Sequence, residues 1–303
     1  MRPFAALAVL ALALPAAAYE RAQVNGSGPF LFWATRKHTY QIDSQGTPDA
    51  PAASAFDAVR KSFATWAQVT CSDLSFTEEP PGATDRRVGY VSGSTNHNIV
   101  LWRTRNCASA SVVPPGDPCL TQGGCSNKYD CWDHDSSAIA TTTTTSVTST
   151  GEILDADMEL NDSAFFFTTV DAPVCPPSAP RADCVAYDVQ NTATHEAGHY
   201  LGLGHSSATD ATMFAFAPSG ETRKRQLHAD DITGICAIYP KGGPTSVSPG
   251  VQPPQSNASS GGCSTSPRAS WEMLALLAFA LRAGGTGSAD RRRGGAGAKE
   301  PER

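Results

Sequence analysis

His195-Glu196-Ala197-Gly198-His199 sets two histidines four residues apart with a carboxylate directly after the first. On a helix that spacing sends both imidazoles out of one face, where two neutral rings can hold one Zn²⁺. Glu196 is then within reach of a water on the ion. Gly202 follows, a residue that takes positive φ at little cost and lets the helix stop and the chain turn sharply. The turn would bring His205 round as a third nitrogen ligand. Three protein ligands leave a fourth position open, the pattern of a catalytic rather than a structural zinc. The alternative is an ordinary helix with two coincidental histidines, ended by a glycine. At average residue usage this five-residue pattern arises by chance in far fewer than ~1 in 1,000 chains of this length.

The elements that must position these groups are legible on either side. After Pro48–Pro51, Phe56, Val59, Phe63 and Trp66 form one apolar stripe at helical spacing, read as core. Arg87–Val91 and Asn98–Trp102 read as two short strands. Ala138–Thr144 is rich in threonine and reads as another. In Glu152–Asn161, Leu154, Ala156, Met158 and Leu160 alternate with Asp155, Asp157 and Glu159, the pattern of a strand with one wet face. Tyr187–Leu203 is the helix of the histidine motif.

The wider pattern resembles the metzincin clan of zinc endopeptidases, whose long histidine motif is followed by a methionine-containing turn; here Met213 stands in Asp210–Phe214. Ser206, directly after His205, is the residue matrixins usually carry there. Leu227–Tyr239, with its Asp230-Asp231 pair and closing aromatic, is similar to the matrixin C-terminal helix, and Trp33 with Tyr40–Ile42 to the opening strand. The resemblance covers roughly residues 30–240. It implies an α+β fold: a twisted, mixed five-stranded sheet with three helices and a cleft across its edge strand. It makes His195, His199 and His205 the ligands of one catalytic Zn²⁺, Glu196 the general base, and Met213 an apolar floor rather than a ligand. It matches Ala138–Thr144 to the edge strand above the cleft, so Ala138, Ile139, Ala140 and Thr141 would pair with an extended peptide; an edge left to solvent is the alternative. Phe216 and Pro218 would line the wall of the pocket for the residue after the cut, or form plain surface loop.

Composition bounds the rest. Net charge is −6, but residues 241–303 hold eight basic and four acidic side chains, leaving −10 on residues 1–240. An acidic main domain argues against a nucleic-acid partner and permits Ca²⁺, although acidity for solubility alone is as good a reading. Asp130, Asp133 and Asp135 could supply oxygens to Ca²⁺, but without a complete calcium loop a solvated acidic loop is the better reading. His97 and His134 do not match the histidine pattern of the additional structural zinc of many matrixins, and no such zinc is expected.

Met1–Ala18 reads as a secretory signal peptide: Arg2, an apolar run over Phe4–Leu14, and a small-residue cleavage site at Ala16–Ala18. Nine cysteines suit that oxidising destination. Eight of them allow four disulfides in 105 pairings, with Cys175–Cys184 the local pair to try first. A second zinc on the Cys107–Cys131 group is the weaker alternative. Residues 19–29 leave no room for a folded propeptide before the domain, taken as 19–240.

Residues 241–262 form a Gly/Pro/Ser-rich linker. The tail 263–303 then carries Cys263, a short apolar run Met273–Leu281 and Arg291–Arg293. That order resembles the surface-sorting tails of some bacterial proteins, and would give transient attachment to a membrane or cell envelope; a disordered tail with a partner-binding helix is the alternative. The apolar run is too short to span a bilayer. The expected function is a secreted or cell-surface, monomeric zinc endopeptidase acting on proteins or peptides. The rival is a zinc-containing surface-binding or adhesion protein of the same fold with catalysis lost.

Overall fold

A computed structural model describes residues 18–80, 86–247 and 262–264. Residues 1–17 of the expected signal peptide 1–18, the apolar run 273–281 and the arginine cluster 291–293 lie outside them.

The sheet is built from β1 (Lys37–Ile42), β2 (Ser75–Glu78), β3 (Ile99–Trp102), β4 (Ala138–Ser146), β5 (Ile153–Leu160) and a short final strand described below. The spatial order of these five is β2-β1-β3-β5-β4. Every pair is parallel except β4 with β5, which is antiparallel. Three helices of two or more turns serve it: α1 (Ala52–Ala67), then α4 (Val189–Tyr200) and α5 (Ala229–Ile238). Between β3 and β4 the Cys-rich insertion adds two single-turn helices, α2 (Cys119–Gln122) and α3 (Cys125–Tyr129). Two-residue strands β6 (Phe167–Thr168) and β7 (Tyr187–Asp188) pair ahead of α4.

Helix α1 exists to seat α4. Its stripe is buried at Val59, Phe63 and Trp66, with Phe56 packed at its margin. Each such side chain contributes about 1.5–3 kcal/mol relative to exposure. The Trp66 indole N–H donates to the Thr194 carbonyl at 2.9 Å, and the Ser62 hydroxyl to that of Gln190 at 3.1 Å, so α1 grips the backbone of the histidine helix directly.

Strand β5 departs from the expected wet face. Asp155, Asp157 and Glu159 are at most 2 % exposed, while Leu154 is 40 % exposed. The acids are covered by the 86–97 loop and the insertion, which supply donors. Arg103, itself fully buried, donates to Glu159 at 2.6 Å, and Asp157 accepts the N–H groups of Gly89 (2.6 Å) and Ile99 (3.0 Å). The same contacts explain why Arg87–Val91 is not the strand its composition suggests. Gly89 adopts φ +94° to aim its N–H at Asp157, and Asn96 takes the N–H of Val91.

Burial, with the Asp155 charge next, pushes Asp157 up to about 8. A carboxyl that keeps its proton when folded stabilises the fold fully below its unfolded pKa near 4 and loses that contribution as pH rises through about 8. Asp155→Asn removes the neighbouring charge. The fall in melting temperature between pH 5 and pH 8 should therefore shrink, on the order of 5 °C, in thermal unfolding scans.

Among the described residues four disulfides are formed: Cys71–Cys236, Cys107–Cys131, Cys119–Cys125 and the expected Cys175–Cys184. Pairing of all four thiols in the insertion overturns the alternative of a second zinc there. Cys71–Cys236 ties the segment after α1 to α5 across 165 residues, which in the chain-entropy account stabilises by on the order of 5 kcal/mol. The acidic trio does not gather as a cation site. Asp130 pairs with Arg86 and Arg103, Asp133 accepts the Cys125 N–H, and Asp135 accepts from Ser137. His97 meets Glu79 and His134 meets Glu159.

One addition concerns the edge. The five-stranded sheet gains a sixth strand, β8 (Gly262–Ser264), antiparallel on β4. Over Ala138–Thr141 the expected open edge is thus paired with a piece of the chain's own tail.

Candidate metal centre

Helix α4 starts at Val189, two residues later than expected. Tyr187 and Asp188 belong to β7, and the Asp188 carboxylate caps the helix by accepting the Asn191 N–H at 2.7 Å. It ends at Tyr200. Gly202 then takes φ +87°, and a Cβ there would lie 2.6 Å from the Leu31 carbonyl oxygen. This glycine makes the turn the sequence required of it, and the chain returns with His205 facing the helix.

The three rings converge. His199 Nε2 lies 3.2 Å from His195 Nε2 and 3.2 Å from His205 Nε2, and the ligand atoms of all three fall within 4.8 Å of one another. Two Zn–N bonds of about 2.0–2.1 Å at a tetrahedral angle put their nitrogens about 3.3 Å apart, so the spacing suits that ion. The tautomers suit it too. His195 Nδ1 is 2.6 Å from the Thr212 carbonyl and His199 Nδ1 is 2.8 Å from the Leu203 carbonyl. A carbonyl only accepts, so Nδ1 carries the proton and the Nε2 lone pair faces the centre. Burial lowers both rings' proton affinity, His199 to about 3 and His195 well below the usual range, so neither ring carries the positive charge that would repel a cation. The residues present therefore fit Zn²⁺.

The supports come from α5. The Asp231 carboxylate accepts the N–H groups of Thr212 (2.8 Å) and Met213 (3.0 Å), and so holds the carbonyl that fixes His195. Asp230 accepts the Ser206 hydroxyl at 2.6 Å and the Tyr19 N–H at 2.9 Å, which anchors the residue directly after His205. The Asp-Asp pair thus restrains both ends of the segment that joins the third histidine to the methionine turn.

Met213 is 1 % exposed and packs against Gly198 of the histidine helix. A Cβ on Gly198 would come within 2.2 Å of its Sδ and 3.0 Å of the Trp66 ring. Gly198→Ala should therefore cost about 1–3 kcal/mol by overpacking and weaken zinc retention. Thermal unfolding of the zinc-loaded and chelated protein measures both effects.

Glu196 is fully buried beside this cluster. Thr142 on β4 donates its hydroxyl to Glu196 Oε2 at 2.8 Å, shared with the Glu196 carbonyl at 3.0 Å. Thr142 is the residue that sequence reasoning missed, although it continues the threonine run one position past Thr141. Of the groove positions read from sequence, Ala138, Ile139, Ala140 and Thr141 all lie on β4, on the same strand as Thr142. Phe216 and Pro218 are exposed on the stretch after Met213, and Phe216 meets Phe214 edge-on at 5.7 Å. That stretch is tied back to α4 by Lys224, 1 % exposed. Its N–H donates to the Asn191 side chain at 2.8 Å and its ammonium to the Phe214 carbonyl.

Comparison with known proteins agrees with this geometry. The chain is 44 % identical over 93 residues to metalloendoproteinase 5-MMP of Arabidopsis thaliana, a stretch that is 31 % of this chain and 25 % of that protein. It is 50 % identical over 54 residues to metalloendoproteinase 1 of Glycine max, 18 % of this chain and 17 % of the relative. Against the interstitial collagenase of Bos taurus it is 26 % identical over 215 residues, 70 % of this chain and 34 % of the relative. The chain therefore spans between about a sixth and a third of the length of these relatives. The family profile described as Matrixin matches residues 32–240. Since that match begins before β1 and ends just beyond α5, taking in the sheet and the helices that hold the histidines as well as the motif itself, the chain belongs to the matrixin family.

Proposed function

We propose that the chain is a secreted zinc endopeptidase that hydrolyses internal peptide bonds of proteins. The observation that carries this is the convergence of three imidazoles on one point with a buried carboxylate at the adjoining position of the same helix. Bound there, Zn²⁺ supplies Lewis acidity, lowering the pKa of a coordinated water towards ~7 and polarising a carbonyl. The chain's own groups do the rest. His195, His199 and His205 hold the ion. Glu196 takes the proton from the attacking water and passes it to the departing amine. Thr142 keeps the Glu196 carboxylate oriented through its 2.8 Å hydrogen bond. The backbone of β4 aligns an extended peptide by strand addition. Farther along β4, Thr144, Thr145 and Ser146 line a cavity of about 280 Å³ together with Gln23, Val24 and Leu31 among others.

A binding-only protein of the same fold has no use for a carboxylate buried against a hydroxyl at that position, which disfavours the adhesion reading. Secretion is supported by the leader at Met1–Ala18 and by four disulfides. No helix among the described residues is long and apolar enough to cross a membrane. The test is hydrolysis of a quenched peptide library by the purified chain. Cleavage should stop on chelation and return with stoichiometric Zn²⁺. A folded, zinc-loaded chain that cleaves nothing in the library sinks the proposal.

A further inference from the structure

The strand β8 lies where a peptide substrate would lie. Strand β4 has two edges. One pairs with β5, and the other pairs over Ala138–Thr141 with Gly262–Ser264 of the same chain. The register is Thr141 with Gly262, Ala140 with Cys263 and Ala138 with Ser264, antiparallel, with an irregularity between Ala138 and Ala140. The next residue along β4 is Thr142, whose hydroxyl holds Glu196. The backbone of Gly262–Ser264 therefore runs extended to within one residue of the level of the buried carboxylate, and β8 lies close to α4.

We propose that residues 262–264 are a built-in occupant of the peptide groove, bound by backbone pairing to β4, which competes with substrate and must leave before an extended peptide can bind. This rests on the peptidase reading of the groove. The physical case is that both ligands need the same row of N–H and C=O groups on β4, and those can pair with one strand at a time. A tethered segment competes at an effective concentration in the ~mM range for short linkers, enough to mask a groove that binds free peptides weakly. Three paired residues, one of them glycine, make a short strand that is displaceable by a longer peptide. Pairing through the main chain asks little of the side chains, which accords with a Gly-Cys-Ser occupant.

The test uses the full chain with two substitutions at one position. Cys263→Pro removes the N–H of the central strand residue and restricts the residue before it, so pairing is lost. Cys263→Ala keeps the backbone donor and removes the thiol. In zinc-loaded protein carrying Glu196→Gln, hydrogen exchange at the Ala138–Thr141 amides should speed up about 10-fold or more with Cys263→Pro and stay as in the parent with Cys263→Ala. In the catalytically intact background, KM for an extended peptide should fall about 10-fold with Cys263→Pro at unchanged kcat. Equal exchange in parent and Cys263→Pro overturns the proposal. So does an equal response to Cys263→Ala, which would mean that the thiol, not the backbone, holds the tail. If exchange responds as expected but no variant hydrolyses peptide, the occupant stands and the peptidase reading falls.

Discussion

Glu196→Gln should leave the chain folded and zinc-loaded yet reduce peptide hydrolysis by about 10²–10⁴-fold. The amide keeps the size of the side chain and an oxygen that can still accept the Thr142 hydroxyl now bonded at 2.8 Å, so the packing around a fully buried site has no reason to change. What the amide cannot do is take a proton. The loss should appear in kcat and in kcat/KM alike, with KM held, because a base acts in the transition state and not in binding. Zinc content by metal analysis and peptide turnover, measured on one preparation, check it. Wild-type turnover in Glu196→Gln would remove Glu196 as the base.

His205→Ala should lower zinc affinity by at least ~100-fold, more than the ~10–100-fold typical when a partner behind a ligand is lost. His195 and His199 are anchored on a helix by carbonyls at 2.6 and 2.8 Å, so they remain a two-nitrogen site. His205 sits on the turn beyond Gly202, half-buried, and its loss leaves the buried network of Ser206 and Asp230 in place. The fold should therefore persist while metal is lost on dialysis. Competition against a chromogenic chelator gives the affinity, and unchanged affinity would mean that another group supplies the third ligand.

Much of the site was legible because its geometry is local. The i, i+4 histidines, the glutamate between them and the glycine turn are set by helix periodicity and by the steric freedom of Gly202, and both are written into adjacent residues. Elements with strong local patterns also came through: the α1 stripe, β5, and Cys175–Cys184, whose partners lie nine residues apart. The misreadings came from residues whose partners are distant in the chain. Asp155, Asp157 and Glu159 look like a solvent face by alternation alone. Asp157 and Glu159 are buried because Arg103 and the N–H groups of Gly89 and Ile99, contributed by other segments, satisfy them. Arg87–Val91 has the composition of a strand, but its backbone donors are spent on side chains, Gly89 on Asp157 and Val91 on Asn96.

The sequence by itself determined the chemistry: the metal-binding trio, the carboxylate beside it, and the family whose fold presents them. Tertiary structure alone decided how that chemistry is held and how it is reached. It placed Thr142 on Glu196, set Asp230 and Asp231 behind the third histidine and the methionine turn, and laid Gly262–Ser264 along β4. The reason is physical. A helix turn is closed by residues a few positions apart, whereas strand pairing and the burial of charge are settled by whichever remote groups offer the missing hydrogen bonds.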